Sequence, residues 1–202
     1  MPGHAADSTS PMTKPRSMID LLRAQTSTHH QGLESDLRIQ ERLSRIETRG
    51  PLIAGYMTLH RECEAALRPH LWDMPCLAFS SRFGALRILG KAELPGHGHA
   101  LADAVFPAVD TKAEALGALY VLEGSTLGGK TILKALRSQG VSTDGLLFLD
   151  PYGRDAGALW RSFLGVLERE TAHSQPAMNE CVSGAIKAFG FAARCLHGEA
   201  TN

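Results

Sequence analysis

Residues 124–131 read Gly124-Ser125-Thr126-Leu127-Gly128-Gly129-Lys130-Thr131, and the fold turns on whether they form a loop or a helix. As spacing they satisfy G-x-x-x-x-G-K-[ST], in which backbone N–H groups cradle phosphate and the Lys and hydroxyl residues serve phosphate and Mg²⁺. Ala118–Leu122 then reads as a strand entering the loop, and the apolar run Leu146–Asp150 as a strand ending in a Mg²⁺-holding acid. As part of a longer apolar segment, the same octet is a helix carrying Gly124, Gly128 and Gly129. Context favours the helix. A nucleotide-binding sheet needs several parallel strands alternating with helices. The stretch before the octet reads as helices, and the roughly 70 residues after it offer a single further strand candidate.

The helical reading has to account for the glycines. Each interior glycine costs about 1 kcal/mol relative to alanine. Gly124 and Gly128 are four apart and share a face. With two Cβ atoms missing there, the backbone can approach a flat object closely. Packing against another helix is the plainer explanation of the same feature.

Working outward, helical patterns dominate. Thr111-x-x-Glu114 is a capping box that launches the segment 113–136. Ser17 caps a helix running to about Leu37, with Asp20 in its first turn. A second helix is expected over 37–46, ended by Arg49-Gly50-Pro51, after which Pro51 opens a helix over 52–71. Further helices are expected over 82–89, 156–170 and 181–196, a loop at Pro95–His99 and a turn region at 138–145. Alternating β-patterns are nearly absent. The reading is an all-α single domain over 18–198, preceded by a disordered Pro/Ser-rich leader at 1–17 that has no apolar signal-peptide core.

Composition narrows the function. Lys plus Arg and Asp plus Glu both number 21 among 202 residues. That balance gives no support to nucleic acid or a membrane surface as partner. Hydrophobic residues make up 44%, yet no run reaches the ~18 apolar residues of a membrane span. Cys63, Cys76, Cys181 and Cys195 form no C-x-x-C pair, so they read as reduced thiols of a cytoplasmic protein.

The other distinctive stretch is Leu22-Arg23-Ala24-Gln25-Thr26-Ser27-Thr28-His29-His30-Gln31-Gly32-Leu33-Glu34. At about 100° per residue, His29 and His30 flank the apolar stripe on opposite sides, and periodicity does not choose between them as a metal ligand. The stretch resembles the L-[RK]-x-x-T-x-x-x-H-x-x-x-[ED] motif with which heme oxygenases of the bacterial type open, through Leu22, Arg23, Thr26, His30 and Glu34. A second resemblance to that family lies in Tyr120-Val121-Leu122-Glu123-Gly124-Ser125-Thr126-Leu127-Gly128-Gly129, similar to its glycine-rich distal helix. A third is Pro151-Tyr152-Gly153 followed by Gly157-Ala158-Leu159-Trp160-Arg161-Ser162-Phe163. The three occur in the family's order and span 18–196.

The resemblance implies a heme held between the His30 helix and the Gly124–Gly129 helix. It makes His30 the iron ligand, with Glu34 beside it, and Gly124, Ser125 and Gly128 the catalytic surface, Gly129 adding to the heme contact. Imidazole, unlike thiolate, does not favour O–O cleavage. Arg23 and Arg161 match positions that hold heme propionates, and Lys130 and Lys134 are further cations nearby. The implied reaction opens heme at a meso carbon to biliverdin, CO and iron, using O2 and electrons from an external donor such as a ferredoxin, flavodoxin or flavin reductase. A phytochrome receiving the bilin is an implied partner. Mammalian members carry Asp where this chain has Ser125, which leaves the proton route unassigned. The alternatives are a non-catalytic heme-binding or sensing protein of the same fold and a phosphate-loop NTPase. His60, His70, His97, His99, His173 and His197 match no family motif and read as surface or structural.

Overall fold

The computed structural model describes residues 17–84, 88 and 104–197. They form helices α1 (Met18–Leu37), α2 (Ile39–Ser44), α3 (Ile46–Leu71), α4 (Lys112–Ser138), α5 (Ala156–Thr171) and α6 (Gln175–His197), with 3-10 turns at Phe79–Phe83, Leu147–Leu149 and Gly153–Asp155. No strand occurs among the described residues. The octet lies inside α4, where Lys130 and Thr131 are ordinary helical residues. The phosphate-loop reading is thereby set aside, for want of the sheet that its loop must leave.

Helix starts follow local chemistry. Ser17 is extended (φ −152°, ψ 164°), and its Oγ accepts from the Asp20 N–H at 3.3 Å. Thr111 likewise accepts from the Glu114 N–H at 3.2 Å. The Glu114 carboxylate accepts from the Asp110 N–H at 2.9 Å. The Thr111 half of the expected capping box is therefore present, while the return bond of Glu114 goes to Asp110, one residue before the cap.

Three boundaries differ from the sequence reading. The helix expected over 37–46 is cut to Ile39–Ser44 by Arg38, which is left-handed (φ 44°), and by extended Arg45. The following helix begins at Ile46 and carries Pro51 inside it. Side chains stitch that junction: the Arg49 Nε donates to the Leu43 carbonyl, its Nη2 to the Ser142 carbonyl at 2.8 Å, and Thr48 Oγ1 to the Arg42 carbonyl. Proline so near a helix start forfeits one hydrogen bond rather than the helix. At the other end, α6 starts six residues before the expected Cys181. Ser174 caps it, its Oγ accepting from the Ala177 N–H at 3.4 Å and its carbonyl from the Met178 N–H at 2.9 Å. Of the helix expected over 82–89, Gly84 and Ile88 are helical and residues 85–87 and 89 lie outside the described residues, as do Pro95–His99, the leader 1–16 and residue 198.

The core centres on α4 packed against α6, with α1 and α3 alongside. Two glycines permit the crossing. A Cβ at Gly117 would sit 1.8 Å from the Cys181 carbonyl oxygen, and one at Gly184 would sit 1.9 Å from that of Glu114. On α3, a Cβ at Gly55 would fall 2.2 Å from the Cys195 carbonyl oxygen. Around these contacts Leu22, Leu67, Phe79, Phe163 and Phe191 are fully buried. Cys63, Cys181 and Cys195 are buried free thiols and Cys76 an exposed one. Burial pushes Cys181 and Cys195 up to about 12.

His60 is a buried group with a pH consequence. Burial lowers its ring from 6.5 to about 4, its Nδ1 has no partner, and it stacks on Tyr56 at 6.4 Å. The neutral ring is the folded form, so its stability contribution is complete above pH 6.5 and drains as pH falls toward 4. At 1.36 kcal/mol per pKa unit, the loss between pH 7 and pH 5 is about 2 kcal/mol. Urea unfolding at the two pH values should show this loss in the wild type and a clearly smaller one in His60→Phe. Equal losses would rule out His60 as the cause.

Candidate functional site

A cavity of about 860 Å³ opens between α1 and α4. Tyr56 and Leu59 of α3 line it, with Trp160 of α5 and Phe189, Ala192 and Leu196 of α6. Its size is in the range of small-molecule and cofactor sites. Burial pushes Tyr56 up to about 12, against the opposing pull of Arg42. It is therefore a neutral phenol at physiological pH.

On α1 the cavity separates the two histidines. Both rings approach Phe189, at 6.3 Å for His29 and 6.0 Å for His30, but His30 alone of the pair lines the cavity. The His30 Nδ1 lies 3.5 Å from the Glu34 carboxylate, which leaves Nε2 for a ligand. Those two side chains are 58% and 70% exposed, so the carboxylate orients the ring only weakly. Among the described residues no three His, Cys, Asp or Glu side chains cluster as a metal site. The wall thus offers one imidazole, that of His30.

On α4 the glycines divide. A Cβ at Gly124 or Gly128 would meet no atom within 4 Å, and both residues border the cavity. A Cβ at Gly129 would lie 2.1 Å from the Leu149 carbonyl oxygen. Gly129 touches the cavity with its backbone, but its missing side chain serves the packing of the 147–149 turn. Gly124→Ala should keep or slightly raise the stability of the ligand-free protein, by up to about 1 kcal/mol. Gly129→Ala should lower it by about 2 kcal/mol. Thermal unfolding of the two variants checks the division, and equal melting temperatures would refute it.

Ser125 lines the cavity, but its Oγ donates to the Leu122 carbonyl at 2.7 Å. It offers acceptor lone pairs there and no proton. Arg23 lines the cavity beside Tyr120, whose phenol is pushed up by burial against the opposing pulls of Thr26 and Arg23. Thr26 Oγ1 donates to the Leu22 carbonyl at 2.8 Å. Arg161 is not brought to the cavity. It is exposed, with Nη1 3.5 Å from the Cβ position of Gly157 on its own helix, and Trp160 takes the wall instead. A step of about 100° separates the two. Lys130 donates to the Gly153 carbonyl at 3.3 Å, and Lys134 is exposed away from the lining.

Sequence reasoning passed over one buried network. The Arg82 and Glu123 side chains are 0% and 2% exposed and pair at 2.7 Å. Arg82 also donates to the carbonyls of Leu77 (2.5 Å) and Leu159 (3.3 Å). The Tyr152 hydroxyl lies 2.9 Å from Glu123 Oε1 and 2.5 Å from the Arg82 carbonyl. Burial raises the Glu123 carboxyl, against the pull of Arg82 and Tyr152. The available signal was the acid directly before the first distal glycine.

The chain superposes on the heme oxygenase of Neisseria meningitidis, solved with NO and CO bound, with a TM-score of 0.68 over 93% of this chain and 95% of that one, at 21% identity. The fold is the heme oxygenase fold. A curated heme oxygenase from Xanthomonas campestris pv. campestris (strain 8004) is 35% identical over 97 residues. That match takes in 48% of this chain and spans 58% of the relative's length. No family model matches the chain. No helix among the described residues is long and apolar enough to cross a membrane.

Proposed function

We propose that the chain is a heme oxygenase, which takes heme as substrate and, with O2 and electrons from an external donor, opens it at a meso carbon to biliverdin, CO and iron. The observation that carries this reading is a single cavity with an imidazole on one wall and a strip without side chains, at Gly124 and Gly128, on the other. Heme supplies the iron at which O2 is reduced and the ring carbon that is attacked. The His30 Nε2 binds that iron from the α1 side. Gly124 and Gly128 let the α4 backbone stand close over the opposite face and leave room for ordered water, which is the proton source that fits a Ser125 hydroxyl committed to Leu122. Arg23 holds a propionate at the Tyr120 end, in the role the sequence shared between Arg23 and Arg161. Aromatic walls at Tyr56, Trp160 and Phe189 keep the macrocycle away from bulk water.

The electron donor belongs to the ferredoxin, flavodoxin or flavin reductase class. Free buried thiols and a soluble electron carrier fit a cytoplasmic setting. The biliverdin product is the class of chromophore that a phytochrome takes up.

Hemin titration followed by addition of reductant under O2 tests the reading. The expected result is one hemin per chain, a histidine-type Soret band, and loss of that band as biliverdin appears. Bound heme that survives these conditions reduces the protein to a heme carrier. Failure to bind hemin removes both readings.

A further inference from the structure

The open strip on α4 lacks braces of its own. Nothing stands within 4 Å of the Cβ positions of Gly124 and Gly128, so no side chain there anchors the helix to the core. The anchors lie immediately on either side, and one short segment supplies them. Before the strip, Glu123 accepts from Tyr152. After it, Gly129 is seated on the Leu149 backbone and Lys130 donates to the Gly153 carbonyl. Arg82 joins this arrangement to a second wall of the cavity. It pairs with Glu123, the neighbour of Gly124, and donates to the carbonyl of Leu159, the neighbour of Trp160. Its guanidinium also lies 5.8 Å from the Phe163 ring centroid. A fully buried charge held by three separate segments cannot move without moving all of them.

We propose that residues 149–153, locked by Arg82 and Glu123, form a splint along the back of α4 that fixes how far Gly124 and Gly128 stand from the bound heme. This rests on the reading of the cavity as a heme site. Arg82, Glu123 and Tyr152 touch no heme. They are positioning residues, and they act through the backbone of the next residue. Reactions within a bound complex are sensitive to displacements of this kind, of the order of an ångström. Regulating that distance from behind the helix leaves the cavity face free of side chains at Gly124 and Gly128.

Arg82→Ala would strand a buried carboxylate and is expected to compromise folding. Tyr152→Phe removes only a hydroxyl, and Glu123→Gln keeps both hydrogen-bond partners, since its amide accepts from Arg82 and donates to Tyr152; because it also removes the charge that Arg82 pairs with, its folding is checked by urea unfolding. Each is compared with wild type as the full chain loaded with hemin. The measurements are hemin affinity, kcat and KM for biliverdin formation, and the C–O stretch of the ferrous complex with carbon monoxide. For Tyr152→Phe the expectation is an unchanged KM and hemin affinity, a kcat lowered about tenfold, and a C–O stretch that shifts and broadens as the distance over the heme loses its definition. Glu123→Gln should return kcat and the stretch to near wild type. The splint is overturned if Tyr152→Phe keeps the wild-type stretch, or if Glu123→Gln falls as far as Tyr152→Phe. A wild type that binds and degrades hemin while all three proteins agree overturns the splint alone. A wild type that binds no hemin overturns the functional reading with it.

Discussion

Gly117→Ala should lower the stability of the native state by about 4 kcal/mol or more, a large share of a total of roughly 5–15. The added methyl would lie 1.8 Å from the Cys181 carbonyl oxygen and 3.0 Å from the Ala185 nitrogen, and both are backbone atoms of α6. No side chain can rotate away. Relief requires α6 to move off α4, which opens the contacts of Ala185, Ala188 and Ala192 behind it. The gain in helix propensity is only about 1 kcal/mol and acts in the opposite direction. Gly190→Ala, on α6 with no atom within 4 Å of its Cβ, is the control and should be neutral or slightly stabilising. Urea unfolding of the two proteins decides the matter. If Gly117→Ala melts with Gly190→Ala, the close crossing of α4 and α6 is wrong.

His30→Ala should have the opposite profile, a sound fold with a disabled site. The side chain is 58% exposed, and its contacts are a weak pair with Glu34 and an edge against Phe189. Unfolding free energy should change by less than about 0.5 kcal/mol, as for surface substitutions generally. Hemin affinity should fall roughly 100-fold, about 2.8 kcal/mol, and the histidine-type spectrum should vanish. Added imidazole should restore the spectrum by occupying the vacated position. His29→Ala is the matched control, since His29 meets the same Phe189 ring but does not line the cavity. Loss of ligation in His29→Ala with retention in His30→Ala would reverse the assignment.

How much of this was legible beforehand depended on how local the cause was. The caps at Ser17 and Thr111 and the span of α5 depend on residues within a turn or two, and the sequence reading matched them. The start of α6 was missed, although Ser174 followed by Pro176 is a local signal, because apolar periodicity strengthens only from Cys181. Helix α3 runs through Pro51 because the proline sits near the helix start, where it forfeits one hydrogen bond rather than the helix. The division among glycines was illegible. Gly124, Gly128 and Gly129 are identical letters in one helix, and only the position of Leu149 separates the last from the others. Arg161 was placed by resemblance at the cavity, whereas the phase of α5 gives that wall to Trp160.

The two kinds of glycine on α4 answer to different selective pressures. Gly117 and Gly129 are held by backbone of the same chain, so any descendant that keeps the fold must keep them. Gly124 and Gly128 face open cavity and are constrained only by what occupies it. A lineage that ceased to handle a flat ligand would therefore drift first at 124 and 128, while 117 and 129 stayed fixed. Among sequences of this fold, side chains at those two positions beside intact glycines at the other two would mark a lost or altered ligand rather than a lost structure.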